Sequence, residues 1–322
     1  MTTATEQFEA FRTGAGVAPL HAGWIAVTGS DRVRWLNGMV TNSVQALTPG
    51  DGAYSFLLSA QGRIQGDLTV WAEADRLYLQ TSPQQVETIL ALLDRFIIMD
   101  DVELSDLSAE SHGLLIAGPK AAEALGAVGI RARASRLLKR QAATWGDHTV
   151  VLVNAHSPLV PRFEVWSSEG AVIAQLRDAL DATACDDDGL ELLRMVEGTP
   201  LFGTDIRDRD LPQETAQTRA LHFAKGCYLG QEIVERIRSR GNVHRTFTSF
   251  VVSGNVPAPG TALEADGKAV GELTSVASHD IDGRRLALGF IRREVIDRGL
   301  AITFSGGSAE PLAATEAATA AS

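Results

Sequence analysis

The stretch from residue 53 to 97 leaves this chain few folds to choose from. Ala53-Tyr54-Ser55-Phe56-Leu57-Leu58 and Asp67-Leu68-Thr69-Val70-Trp71 read as strands around the turn Ser59-Ala60-Gln61-Gly62-Arg63, with Leu77-Tyr78-Leu79-Gln80-Thr81 as a third. Ser82-Pro83 then offers a helix cap and a proline at the first helical position. Behind it Val86, Ile89, Leu90, Leu93 and Ile97 recur at i, i+3, i+4, i+7 and i+11, the spacing of a helix with one apolar face. Strands closed by an amphipathic helix predict a ferredoxin-like α+β unit.

A similar set follows. Gly113–Ala117 reads as a strand, Lys120–Leu125 as a helix, Val150–Val153 and Arg162–Trp166 as paired strands, and Val172–Leu180 as a helix. The front two-thirds therefore reads as two interlocked ferredoxin-like units with no clear linker. Upstream, Trp24-Ile25-Ala26-Val27 suits a strand, Gly29-Ser30-Asp31 a helix cap, and Val33, Leu36, Met39 and Val40 a helix. No Gly-x-Gly-x-x-Gly follows that strand and no Gly-Lys-Ser/Thr follows Gly118-Pro119, so neither a dinucleotide nor a phosphate-loop reading holds. Asp186-Asp187-Asp188 reads as a solvated cap before a helix at Leu190–Val196. After Arg245 the texture changes to short β-rich runs at Phe247–Val252, Ala269–Leu273, Arg285–Ile291 and Ala301–Phe304, the pattern of a small all-β barrel. The expected division is 1–244, a barrel at 245–307, and an Ala/Thr/Ser/Glu-rich tail at 308–322 that reads as disordered.

Composition narrows the chemistry. At 322 residues with 45% hydrophobic and 21% charged, the chain has material for about two domains with full cores. No apolar run approaches the ~20 residues of a membrane span, and the first residues lack the pattern of a signal peptide. A net charge of −11 argues against general nucleic-acid binding. Two cysteines, Cys185 and Cys227, form no disulfide framework and suit a reducing cytoplasm. They are also too few for the usual iron–sulfur ligand set, and the seven histidines show no close metal-binding spacing, so no self-contained metal site is expected.

One local anomaly stands out. Lys225-Gly226-Cys227-Tyr228-Leu229-Gly230-Gln231-Glu232 places a cysteine between glycines just before a short helix carrying Ile233, Val234 and Ile237 on one face, with Glu232 and Arg236 at i,i+4. From Lys225 to Arg245 five Lys/Arg face two Glu, a local +3. A thiol ahead of a helix N-terminus with a lysine nearby is expected to have a lowered pKa and to act as nucleophile or metal ligand. Chemistry alone leaves a second reading open, a small buried hydrophobe among turn glycines.

This motif, with Arg240-Gly241 and Arg245 downstream, resembles the signature of the YgfZ-type folate-binding family, relatives of the T-protein (aminomethyltransferase, GcvT) of glycine cleavage. The resemblance implies a GcvT/YgfZ-like α+β fold with a C-terminal β-barrel, and a 1–244 domain that binds tetrahydrofolate. It extends to Gly62-Arg63-Ile64-Gln65-Gly66-Asp67, which is similar to the T-protein element Gly-Gly-x-x-Asp-Asp with Gly66 in place of one acid. Asp67 would then stand at the reactive end of folate, where a carboxylate can relay a proton; otherwise it is a turn or edge-strand aspartate. Glu164 falls where T-proteins bind the pterin edge through paired hydrogen bonds, although Pro161-Arg162 replaces the usual glycine-rich approach. The bland alternative is a strand-face glutamate exposed to water. Arg194-Met195-Val196-Glu197-Gly198 and Asp205-Ile206 resemble a further shared block, with the glutamate displaced by one. Tyr54 and Arg194 complete the implied folate set, and Cys227 with Lys225 the implied catalytic pair. The resemblance implies an accessory protein whose partners are folate and iron–sulfur client proteins. Its alternative is a folate-dependent aminomethyl or methyl transferase.

Overall fold

Strand alternation decides how the front of the molecule is layered. The computed structural model describes residues 2–132, 136–241 and 243–312. Helix α1 (Ala4–Thr13), which sequence patterning missed, starts on a capping box between Thr3 and Glu6 and leads into strand β1 (Gly16–Leu20). Next come β2 (Gly23–Thr28), α2 (Arg32–Asn37), β3 (Gly52–Leu58), β4 (Ile64–Ala72), β5 (Leu77–Thr81), α3 (Val86–Asp94) and β6 (Glu103–Asp106). Strands β2–β6 form a sheet in the order β3-β4-β5-β2-β6. Along β4, Leu68, Val70 and Ala72 point to one side and pack with Val86, Ile89 and Leu93 of α3 and Trp35 and Leu36 of α2. Asp67, Thr69 and Trp71 therefore point to the other side. Asp31 precedes α2 without capping it; its Oδ2 accepts from the Asp101 amide at 3.0 Å instead, tying β6's approach to the helix.

The second unit comprises β7 (His112–Ala117), α4 (Ala121–Ala127), β8 (Lys139–Trp145), β9 (His148–Asn154), β10 (Arg162–Ser167), α5 (Gly170–Ala179), β11 (Thr183–Ala184) and α6 (Asp187–Glu197). Its sheet runs β11-β1-β7-β10-β9-β8. The interlock is concrete: β1 pairs antiparallel with β7 in this sheet, while β2, two residues later, belongs to the first. Helices α4 and α5 cover one face of this sheet. The opposite face is shared. Val153 and Trp166 meet Trp24 and Trp71 of the first sheet, and Leu115 and Ala117 meet α1, α6 and the C-terminal barrel. Asp186 caps α6 through the Asp188 and Gly189 amides, as the acidic run leads one to expect.

Helix α7 (Gln231–Arg240) precedes β12 (Arg245–Gly254), β13 (Ala262–Ala265), β14 (Lys268–Val276), β15 (Arg285–Arg292), α8 (Arg293–Asp297), β16 (Ile302–Phe304) and β17 (Gly307–Pro311). These strands close a barrel in the order β12-β15-β14-β13-β16-β17. The last barrel strand runs past the expected boundary at 307. Residues 308–311, expected in a disordered tail, form β17 and pair with both β12 and β16, because a barrel without that strand would leave two open edges. Leu312 donates its amide to Ser249 O at 2.8 Å, and 313–322 lie outside the described residues.

Candidate functional site

A polar strip lies between the two sheets. Asp67 on β4 accepts from the Tyr54 hydroxyl at 2.7 Å and from Gln85 Nε2 at 2.8 Å, and Gln85 returns its carbonyl oxygen to the Asp67 amide at 3.0 Å. Burial, then the neighbouring Asp67, hold the Tyr54 phenol well above its ordinary pKa, so it remains a donor. Across the seam Glu164 on β10 is buried, and its Oε2 accepts from Trp166 Nε1 and Gln80 Nε2, both at 3.0 Å. Gln80 in turn accepts from Trp71 Nε1 at 2.9 Å. Among the described residues Glu164 Oε1 accepts no hydrogen bond, and Arg162 Nη2 is 3.9 Å away.

Three further elements close on this strip. The 3-10 turn Thr218–Ala220 brings the Arg219 guanidinium to 4.1 Å from the centre of the Tyr54 ring. The end of α6 brings Glu197, which bonds Ser157 in the β9–β10 connection and has its pKa raised by burial. The same connection brings His156, whose pKa is pushed down to about 4, first by burial and then by Arg219 and Arg162. Sequence patterning singled out none of these as a site residue, although Glu197 lies in the block that resembles T-protein relatives. For Arg162 and Trp166 a signal existed, since they flank Glu164 at i−2 and i+2 on one strand face. For Arg219, His156 and Gln85 nothing local marked them.

Cys227 is exposed, on the loop ahead of α7. Its neighbour Tyr228 is buried in one cluster with Tyr54, Phe56 and Val234, so the loop is anchored on the strand that carries Tyr54. Gly230 holds the left-handed conformation at φ +80, and a Cβ there would meet Ser59 O at 2.6 Å, which is why the motif needs glycine at that point. The other cysteine, Cys185, is buried, and burial pushes its thiol up to about 11.

Two expected site residues are placed elsewhere. Lys225 was expected to activate the thiol, but its Nζ donates to the carbonyls of Asn37, Val40 and Asn42 at 2.6, 2.6 and 2.7 Å. An ammonium has three N–H donors and all three are spent. It pins the motif loop to the end of α2, and Leu229 N adds a bond to Gly38 O at 3.0 Å. Arg194, expected to bind cofactor, is buried and donates to Glu191, to Thr199 O and Asp205 Oδ2 at 2.8 Å, and to Ser275 Oγ at 3.0 Å. Ser275 and Thr274 of the barrel donate to the same Asp205. Arg194 is a tie between α6 and the barrel, with no donor left for a ligand. Nor is the expected Glu232–Arg236 pair made; on α7 Arg238 pairs with Glu235 at 3.5 Å.

Position 66 has an unexpected orientation. A Cβ on Gly66 would meet Gln85 Oε1 at 3.1 Å and Ile89 at 3.4 Å, on the helix-covered side of the sheet. An acid there would start on the α3 side and press on Gln85, the residue that holds Asp67, rather than project into the seam itself. Two surface grooves, one beside α3 and one beside His21, His112 and Arg177, contain neither Cys227 nor the seam carboxylates. Among the described residues no group of three or more His, Cys, Asp or Glu is arranged to hold a metal ion, and no helix is long and apolar enough to cross a membrane.

Residues 1–157 match the family model of the GCVT N-terminal domain, and residues 242–321 match that of the CAF17 C-terminal β-barrel domain. The chain is 24% identical over 303 residues to a chloroplastic protein of Arabidopsis thaliana named as a transferase, covering 92% of this chain and 70% of that one. It is 26% identical over 307 residues to an aminomethyltransferase of Geobacillus kaustophilus, covering 90% and 82%. Among solved structures, glycine cleavage system aminomethyltransferase T from Bartonella henselae superposes with a TM-score of 0.85 at 18% identity, covering 98% of this chain and 89% of that one.

Proposed function

Since the chain belongs to the GcvT/aminomethyltransferase superfamily, we propose that it is a tetrahydrofolate-binding accessory protein supporting the assembly or repair of iron–sulfur proteins. The observation that carries this reading is a juxtaposition. The loop bearing exposed Cys227 rests, through Tyr228, on the same aromatic cluster as Tyr54, whose hydroxyl holds Asp67. The motif around Cys227 and the CAF17-type barrel support the iron–sulfur side of the reading.

The seam's own residues fit a pterin. Among the described residues Glu164 Oε1 accepts no hydrogen bond, and Arg162 Nε is a buried donor without an acceptor. A 2-amino-4-oxo pterin edge presents both complementary groups. Glu164 and Arg162 would hold that edge, and Asp67, with its protonated Tyr54 neighbour, would accept or return a proton at the reduced ring. A bound tetrahydrofolate supplies the nitrogens on which a one-carbon unit is carried. Cys227 would serve client proteins from the rim, and Cys185, sealed in the core, would not. Two free thiols fit a cytoplasmic setting.

A second reading, transfer of an aminomethyl or methyl-derived carbon to folate, is favoured by similarity over nine-tenths of the chain to proteins named aminomethyltransferase. The two readings part at Cys227. In a strain lacking the native gene, Cys227→Ala should fold normally, bind folinate like the wild type, and leave iron–sulfur enzymes with reduced activity. Full iron–sulfur enzyme activity in that strain, with methylenetetrahydrofolate formation from glycine-cleavage partners intact, would establish the transferase reading in its place. Glu164→Gln should weaken folinate binding about tenfold or more, the value of one buried charged hydrogen bond.

A further inference from the structure

Both donors to Glu164 converge on the same oxygen. Oε2 accepts from Trp166 Nε1 and from Gln80 Nε2, each at 3.0 Å, while among the described residues Oε1 accepts no hydrogen bond. Neither donor is charged, and Arg162 Nη2, 3.9 Å from Oε1, stands beyond hydrogen-bond range. Glu164 is nonetheless buried. A buried carboxylate is best stabilised when both oxygens have donors, and here two donors are spent on one of them.

A third residue fixes the direction of the Gln80 bond. Trp71 Nε1 gives its hydrogen to Gln80 Oε1 at 2.9 Å. An indole N–H can only donate, so the carbonyl end of the Gln80 amide has to face Trp71 and its NH2 end has to face Glu164. Trp166, equally a donor only, sits two positions after Glu164 on β10, whereas Gln80 reaches the carboxylate from β5 in the other sheet. Turning the carboxylate would break both bonds at once. Gln80's register partners, Trp24 on β2 and Thr69 on β4, carry no charge that could compete for the amide. Trp71 is itself fully buried and shares a face of β4 with Asp67. One strand therefore carries Asp67 directly and orients Glu164 through Trp71 and Gln80.

We propose that Gln80, held by Trp71, is a positioning residue that makes Glu164 an acceptor at one oxygen only, in one orientation. The seam then selects a ligand edge that donates an N–H at that point. This deepens the folate reading above and rests on it. The amino edge of a pterin meets Oε1 at a fixed angle, and the ring is thereby aligned with Asp67 on the strand from which the hydrogen-bond chain starts. Gln80 acts through Glu164 and is not itself a catalytic residue.

Titration calorimetry of the full chain with folinate, from pH 5.5 to 8.5, tests this. Gln80→Met keeps the length of the side chain, loses both of its hydrogen bonds, and should weaken binding about tenfold. Trp71→Phe should lose part of that factor, and combined with Gln80→Met it should add no further loss, since both act through one bond. Gln80→Glu gives a readout that a packing role would not move. It still accepts from Trp71 but can donate to Glu164 only as the acid. The two carboxyls then share a proton whose apparent pKa is raised by their mutual repulsion, against the pull of Arg162. Relative to the wild type at each pH, folinate binding by Gln80→Glu should be down by more than about tenfold at pH 8.5 and return to within about threefold at pH 5.5. That return also shows the variant to be folded; should it not fold, Trp71→Phe still decides by a loss of affinity or its absence. If the wild type binds folinate while Gln80→Met and Trp71→Phe bind it equally well, or Gln80→Glu shows the same affinity ratio at both pH values, the assignment is overturned and the folate reading stands. A wild type that binds no folinate brings down both.

Discussion

Replacing Lys225 by Met separates two accounts of the cysteine motif. In the structure the ammonium fills a nest of three carbonyls, and Asn37 and Val40, which supply two of them, are themselves buried. Burial pushes Lys225 down to about 8, which still leaves the cation as the main form at neutral pH. Methionine keeps the aliphatic stem and removes the donors. The carbonyl of Asn42, less deeply placed, can turn to water, whereas the other two lose partners they cannot replace. At roughly 1–2 kcal/mol for each buried acceptor left without a donor, the loss should be about 3 kcal/mol. Urea unfolding followed by tryptophan fluorescence reads it as a lower midpoint at unchanged slope. Alkylation of Cys227 by iodoacetamide, under conditions where both proteins are folded, should proceed at the same rate in Lys225→Met, because the ammonium is committed to the backbone. A variant of undiminished stability whose Cys227 alkylates severalfold more slowly would refute this account and restore Lys225 as the activating group.

Three other outcomes follow from particular contacts. Asp205→Asn should destabilise the protein by about 3 kcal/mol, seen as a lower unfolding midpoint, since it leaves buried Arg194 short of its partner and disrupts acceptance from Thr274 and Ser275. Gly230→Ala should cost about 2–4 kcal/mol, from the left-handed backbone and the clash with Ser59 O, and should be detectable by thermal unfolding. His156, held down to about 4 against an ordinary 6.5, contributes stability that is complete above pH 6.5 and lost as the pH falls toward 4, because the unfolded chain takes a proton there that the folded chain does not. His156→Asn should therefore flatten the stability profile between pH 6.5 and 4, by on the order of 1–2 kcal/mol after allowing for the solvent that reaches the ring.

Local pattern set a good deal of this protein. The period-2 runs at 64–72 and 77–81 and the apolar stripe of α3 each fix which way every side chain points, because pleat and helical pitch are properties of the backbone itself. The order of strands and helices was therefore legible, as were the barrel's main strands and the turn character of Gly230. Strands with weak patterns, such as β8 and β17, were not, since their place depends on an edge supplied from elsewhere. Residues with several possible partners were decided only by the folded chain. Lys225 lies two positions from Cys227 in sequence, yet its charge is claimed by carbonyls more than 180 residues earlier. Arg194 matches a shared block but is consumed by the barrel. Arg219, with no local mark at all, arrives over Tyr54. Proximity along the chain fixes direction within one element; which polar groups meet across the seam is set by how two interlocked sheets and a barrel close on one another, and that exists only in three dimensions.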